Sequence, residues 1–516
     1  IRDNAFSNLS DGNWGITTAG NQFNLSGSSD TDGFFTRIIN IVTVDSKRKD
    51  ITSTVNWQQN PQRTGSVSVV TRLTNWIAAS VTAANHLFIY GDSTITPKFR
   101  TYDDTTDSFS AEDVTADVSS GNTFVLRASP TQHEFITGFV DDSGVLNVMC
   151  YNGSSWINAW SVNVGGVGAA RRFDISYETN SGDAIILYSR GVASTNEMAY
   201  RTKSGSNLCG AWSSATNLDP IRTSGIVHWI KLAWDRRGSS NLITAIWAGS
   251  NADLSAMVWS GTAWGNEPTA ATATNLERIA TAQDVESFDV EYESLSGDVM
   301  IVWGISVGNN TNGVRYRTCT GGTATCTWGA VTTPPTFNDD ATNLDISANP
   351  NTDQMIFASI GNNQADLQIG YWSGSVWIND ANADTSCNKP VPGSKYVTTG
   401  WLINGSTTRS VINYVDSGSA TIDWFTGNLG TFTKQSDVSV TPSYSNPNGT
   451  LNIEMNPSLK DRLMYTFSDK NNSLFAKRLV MGATGIFTWT DSDSIALTTT
   501  LPQTTNRPFS FAFLRN

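Results

Sequence analysis

The chain has 516 residues, with 46 acidic against 33 basic side chains and a formal net charge of −13. That balance, with a pI near 4.7, excludes capture of nucleic acid or an anionic membrane by bulk electrostatics. A composition with 42 Gly and 18 Trp, rich in Ser, Thr and Asn and without a sustained 3.6-residue apolar period, excludes a helical bundle and points to an all-β chain.

Residues 1–80 carry short alternating segments at Trp14 to Thr18, Gln22 to Leu25, Phe34 to Val44, Ile51 to Trp57 and Ser66 to Trp76. Ile51, Ser53, Val55 and Trp57 share one face of a strand, and Val67, Val69, Thr71 and Leu73 share one face of the next. So small a sheet needs a cover, and no segment within these residues supplies a helix; one lying ahead of Ile1 would. The acidic stretches Ser28 to Gly33 and Asp103 to Asp107 lack the spacing of a calcium loop and read as solvated turns.

From about residue 81 a longer unit repeats. Phe173 to Glu178 is an alternating strand, followed by the turn Ser181-Gly182-Asp183 and an apolar run to Tyr188; Phe288 to Glu293, Ser296-Gly297-Asp298 and a run to Trp303 repeat the pattern. A Gly-Asp turn between alternating strands is a hairpin signature. A third strand follows, as in Val314 to Arg317, and then a short turn into a Trp-bearing fourth strand at Trp156, Trp264 and Trp377. Four strands per unit make a propeller blade.

First strands begin near Phe124, Phe173, His228, Phe288, Leu344, Tyr396, Leu451 and Phe509, at intervals of 49 to 60 residues. The last start has only its own strand before the chain stops, and three unclaimed strands precede Phe124, at His86 to Tyr90, Lys98 to Tyr102 and Ser108 to Val114. The expected fold is an all-β chain: an eight-bladed β-propeller over 81–516, closed by pairing of the C-terminal strand with the first blade, preceded by a small β-sheet domain over 1–80. An open solenoid or a pair of sandwiches leaves the lone terminal strand unexplained.

Five cysteines are present, so one is left over if the others pair. Cys319 and Cys326 bracket a third-to-fourth-strand turn and are the candidate disulfide, which implies a compartment outside the reducing cytosol. Cys150, Cys209 and Cys387 lie in different blades, and a buried thiol is the default for at least one of them. One polar position recurs inside the first strands, as Asp174, Asp289, Asp345 and, in variant form, Asn452. Innermost strands line the channel and touch the next blade, so these residues form a candidate inter-blade polar ring. Its role is structural: a metal ring would want more uniform ligands than a set interrupted by Val125, Trp229 and Val397.

Enzyme readings find little support. His86, His133 and His228 are the three histidines, and they fall in different blades without triad or ligand spacing. The Ser-x-Asp-x-Gly-x-Thr-Trp box of sialidases is absent from the third-to-fourth turns, which carry Ser-Gly-x-x-Trp instead. No catalytic residue, cofactor or metal is therefore assigned. The recurring Trp156, Trp212, Trp264, Trp328 and Trp377 read first as packing anchors between blades, with sugar stacking as a secondary use.

The N-terminal segment resembles the globular part of type IV pilins and minor pilins. The resemblance rests on Asn8-Leu9-Ser10-Asp11-Gly12, on Phe35 to Ile41, on Lys49 to Trp57 and on Ser66 to Trp76 with its "L-T-N-W" ending. It covers roughly 80 of the 516 residues. The resemblance implies an upstream apolar helix with a prepilin cleavage site, absent from this sequence, that anchors the subunit in the membrane and later packs in a filament. It also implies other pilin subunits as partners and an extracellular, cell-surface location. The expected protein is a non-enzymatic subunit of a type IV pilus-like filament whose propeller is displayed for binding or adhesion. A glycan, another cell's surface or another filament subunit are the candidate targets, and nucleic acid is not. The alternatives are a secreted propeller enzyme acting on polysaccharide, which needs two carboxylates flanking a cleft, and a purely structural filament decoration.

Overall fold

The structure, a computed structural model, describes residues 10–19, 22–45, 48–74, 86–117, 119–166, 170–193, 195–219, 225–250, 252–268, 286–335, 337–391, 393–417, 421–439, 450–469, 471–490, 496–502 and 507–515. They fall into two units, divided between residues 83 and 84.

The first unit is one antiparallel sheet. Its strands are β1 (Gly12–Ala19), β2 (Gln22–Ser26), β3 (Asp30–Asp32), β4 (Phe35–Asp45), β5 (Arg48–Asn60) and β6 (Arg63–Thr74), in the order β2-β1-β4-β5-β6 with β3 beside β4. Opposing Ile41 to Ile51 in the β4/β5 register puts Ile39, Ile41 and Ile51 in one small core with Trp14, Ile16 and Leu25. Among the described residues β6 has no partner on its far side, and Val67, Val69 and Val70 are 55%, 64% and 66% exposed. Asp30 departs from the solvated turn expected of it: its carboxylate accepts the Ile16 backbone N–H at 2.7 Å and pairs with Arg37 at 3.0 Å, which makes a strand of a stretch rich in turn residues. The pilin resemblance at residues 8–9 and 75–76 lies outside the described residues.

The second unit consists of eight antiparallel sheets, blades 1 to 8. Blade 1 joins His86–Tyr90, Lys98–Asp103, Ser108–Phe109 and Asp113–Val114 to the C-terminal strand Phe509–Ala512, with Phe511 opposite Phe88. Blades 2 to 8 run outward from innermost strands at Thr123–Ala128, Phe173–Tyr177, Val227–Trp234, Phe288–Tyr292, Asn343–Ala348, Val397–Asn404 and Leu451–Met455. Each innermost strand neighbours the next, and the strand of blade 8 returns to Phe509–Ala512, so the cycle closes. This is β-propeller architecture, with the channel bounded by the innermost strands.

Local chemistry explains the hairpins. Gly182 and Gly297 both sit at φ +72°, a conformation that a side chain disfavours, and this turns the first strand of blades 3 and 5 into the second. In the same turns Glu178 accepts the Ser181 hydroxyl, and Glu293 accepts that of Ser296 at 2.6 Å. The other oxygen of each carboxylate accepts an indole N–H from the following blade, Trp259 at 2.7 Å and Trp372 at 2.6 Å. One acid thus fixes both a turn and a blade contact. Cys319–Cys326 closes the third-to-fourth-strand hairpin of blade 5, and Cys150–Cys209 ties blade 2 to blade 3 across 59 residues of sequence. Cys387 is a buried free thiol. Two disulfides are what an oxidising compartment favours. Among the described residues, no helix is long and apolar enough to cross a membrane.

Candidate functional site: the propeller channel and an inter-blade cleft

The channel wall is built by the alternation of the innermost strands. Asp174 in blade 3 accepts the Leu232 N–H of blade 4 at 2.9 Å; Asp289 in blade 5 accepts Ile346 N–H of blade 6 at 3.2 Å; Asp345 in blade 6 accepts Thr399 N–H of blade 7 at 2.7 Å. Ser510 and Thr398 make the same bond from blades 1 and 7, to Leu126 N–H and Ile453 N–H at 3.1 and 3.2 Å. A short polar side chain at one strand position therefore satisfies a backbone donor of the next blade, which burial otherwise leaves unpaired. Asn452 holds the equivalent place in blade 8 and lines the channel.

The donors fix the register and correct the sequence alignment in two blades. Each donor follows the ring residue of its own strand, so blade 4 contributes Lys231 and blade 7 contributes Thr398, not Trp229 and Val397. In blade 4 the cause is a bulge between Val227 and Trp229 that shifts the strand.

Cations occupy the spaces between these carboxylates. Lys231 pairs with Asp289, and Lys395 with Asp345. Arg171 lies 2.8 Å from Glu286 and 3.7 Å from Asp174, and Arg507 is 2.5 Å from Glu286. Burial pushes the Glu286 carboxyl up, but Arg171 and then Arg507 outweigh it and hold the group well below the usual carboxylate range. Asp289, where burial prevails over Lys231, is displaced upward. The ring is thus a neutralised inter-blade network.

At the C-terminal ends of the innermost strands the channel opens into a mouth with a different character. Trp234 of blade 4 has three guanidiniums over it, Arg127 at 5.9 Å, Arg236 at 5.4 Å and Arg515 at 5.4 Å from the ring centroid. They come from blade 2, from the residues following the blade 4 strand, and from the C-terminal tail; only closure of the ring brings them together. Arg236 pairs with Glu291 at 3.0 Å. Burial, then Arg236, brings the Arg515 guanidinium down to about 10. Burial also pushes the Glu454 carboxyl up, against Arg127, Arg236 and Arg515.

A second concavity lies between blades 5 and 6. This cleft, of about 370 Å³, is lined by Glu293, Tyr316, Trp372 and the threonines Thr318, Thr320 and Thr332. The rings of Tyr316 and Trp372 have centroids 6.1 Å apart. Burial raises the Glu293 carboxyl, while Ser296 and Trp372 donate to it. Trp372 and Glu293 are buried and bonded to each other, so the cleft presents the half-buried Tyr316 ring beside threonine hydroxyls, the kind of surface that a sugar ring meets with C–H groups on one side and hydroxyls on the other.

Comparison with known proteins bears on the architecture. No protein family matches the chain, and no curated protein does. Among solved structures it is similar to the BP39L lectin from Burkholderia pseudomallei, with 13% identity and a TM-score of 0.50 over 73% of this chain and 99% of that one. The fucose-specific lectin from Aleuria aurantia matches at 10% identity and a TM-score of 0.37, over 74% of this chain and 99% of that one. AofleA from Arthrobotrys oligospora matches at 10% identity and a TM-score of 0.34, over 83% and 92%. The likeness is one of fold. The Aleuria aurantia lectin is described as a six-bladed propeller, whereas the described residues of the second unit form eight sheets.

Of the histidines, His86 is buried and its Nδ1 accepts the Leu514 N–H at 3.0 Å beside the closing strand; His228 is buried in blade 4, and His133 is exposed in blade 2. Trp156 and Trp377 are buried in inter-blade cores, and Trp328 donates to the Asn266 carbonyl of the preceding blade at 2.8 Å. The mouth residues Arg127, Arg236, Arg515 and Trp234 escaped the sequence reading because no local spacing connects them. The one available signal was cationic residues next to first strands in an acidic chain.

Proposed function

We propose that the second unit is an eight-bladed, non-catalytic carbohydrate-binding head, clipped shut by its own C-terminal strand. The observation that carries this reading is the cleft between blades 5 and 6, where the Tyr316 ring lies beside the hydroxyls of Thr318, Thr320 and Thr332. Its support from similar structures is the propeller fold shared with the BP39L lectin. The test is a glycan array followed by calorimetry on the chain and its Tyr316→Ala and Thr318→Val variants. Saturable binding of a neutral glycan, weakened at least tenfold in both variants, is expected. Failure of every glycan to bind would overturn the reading, and release of new reducing ends from a bound polysaccharide would replace it with a glycosidase.

The first unit is, in this proposal, the module that joins the head to a type IV pilus-like filament outside the cell, through other pilin subunits. The apolar edge strand β6 supports it, because an edge unpaired among the described residues, with three exposed valines, is a surface suited to a neighbour. Immunogold labelling with antibody against the propeller should decorate filaments on intact cells. Label confined to the medium or to the cell body would remove the filament role.

A further inference from the structure

Seven cationic side chains line the channel and its mouth, yet three carboxylates, Glu291, Asp345 and Glu454, share that lining. The other acids of the network, Asp174, Glu286 and Asp289, stand behind the surface as partners of the cations. The ring itself is balanced, four cations against Asp174, Glu286, Asp289 and Asp345, so the surplus lies at the mouth, where Arg127, Arg236 and Arg515 face only Glu291 and Glu454. At the mouth, Arg127 spends one Nη on the Leu126 carbonyl at 3.2 Å and reaches Asp174 only at 3.5 Å, while Arg236 is held by Glu291. Among the described residues neither Arg515 nor Glu454 has an ion-pair partner. Three guanidiniums within 6 Å of one indole repel one another, and the cation–π attraction of a single Trp offsets only part of that. An added anion relieves the repulsion and meets planar donors suited to two-oxygen recognition.

The rest of the wall selects what carries the anion. Pro130, Ala348, Trp401, Met455, Pro457 and Phe513 supply an apolar rim around the guanidiniums. The free space, about 140 Å³, matches cavities that admit a single six-membered ring and is too small for a folded chain. We propose that the channel mouth is a receptor for one acidic sugar residue, whose carboxylate or sulfate sits on Arg127, Arg236 and Arg515 and whose ring lies against the apolar rim. This inference rests on the reading of the propeller as a glycan-binding head but uses a separate site from the cleft.

The test is calorimetry of the whole chain with D-glucuronate, D-glucose 6-sulfate, D-glucose and acetate. Glucuronate or the 6-sulfate is expected to bind, with glucose and acetate at least tenfold weaker, and the anion's affinity should fall as salt rises from 50 to about 500 mM. Arg515→Ala should lower that affinity at least tenfold, and Arg515→Lys less. Because Arg515 lies beyond the last strand, an unchanged melting curve shows that the variant is folded; Arg127→Gln serves if it is not. Preference between the two anions reports whether a carboxylate or a sulfate is recognised. Equal binding of glucose and glucuronate, equal binding of acetate, or indifference to both arginine substitutions would overturn the proposal. Neutral-glycan binding that depends on Tyr316, with no anion bound, would sink this site and leave the cleft standing; the converse would sink the cleft alone.

Discussion

Replacing Phe511 by Ala tests whether the ring is held by its tail. Phe511 is 1% exposed and sits on the closing strand opposite Phe88, with its ring edge-on to Phe88 and Tyr102 at 6.0 Å and to Phe513 at 4.8 Å. Truncation of a buried Phe costs about 3–5 kcal/mol from lost transfer energy and the cavity left behind. That range includes ring contacts, each edge-on pair contributing about 0.5–1.5 kcal/mol, and with three of them a loss at its upper end, roughly 5 kcal/mol, is expected. Phe357, 0% exposed inside blade 6, supplies the control, because Phe357→Ala should destabilise to a similar degree without touching the closure. Urea unfolding followed by tryptophan fluorescence gives the two stability losses, and limited proteolysis read by mass spectrometry gives the location of opening. Phe511→Ala should release the C-terminal segment to protease well below the unfolding midpoint, whereas Phe357→Ala should not. A loss under about 1 kcal/mol, or a tail as protected as in the parent chain, would refute the idea that this strand fastens the ring.

Asp174→Ala should cost about 3–5 kcal/mol in urea unfolding, because it leaves the Leu232 and Ile175 N–H groups without their acceptor and Arg127 and Arg171 short of a partner carboxylate; a change below about 1 kcal/mol would show that the ring bond is dispensable. Asp384 tests the pH dependence: burial raises its carboxyl, but hydrogen bonds from Lys434, Tyr414 and Ser386 outweigh it and bring it down to about 2, from an ordinary 3.8. A depressed carboxylate stabilises the fold above its unfolded pKa, and that contribution is lost as pH falls from about 4 to 2; after discounting for solvent screening it amounts to about 1 kcal/mol. Asp384→Asn should flatten that part of the stability–pH curve, measured as unfolding midpoints between pH 5 and 2, and an unchanged slope would remove the assignment.

Strand alternation, Gly-Asp turns and the spacing of first strands are local properties, so they were legible from residues alone, as was the need of Phe509 to Phe513 for a sheet lying far earlier in the chain. The pairing of Phe511 with Phe88 realises that need. The recurrence of Asp174, Asp289 and Asp345 was equally visible, because the same backbone donor reappears in the following blade. What residue order left open was set by the ring. The bulge near His228 moved Lys231 into the place read for Trp229, since a bulge is decided by packing against the adjacent strand. Cys150 met Cys209 because neighbouring blades bring together residues 59 apart. Above all, Arg127, Arg236 and Arg515 surround Trp234 through closure of the whole cycle. Periodicity encodes which face of a strand a side chain takes; which distant side chains share a charge environment depends on how eight sheets meet around one axis.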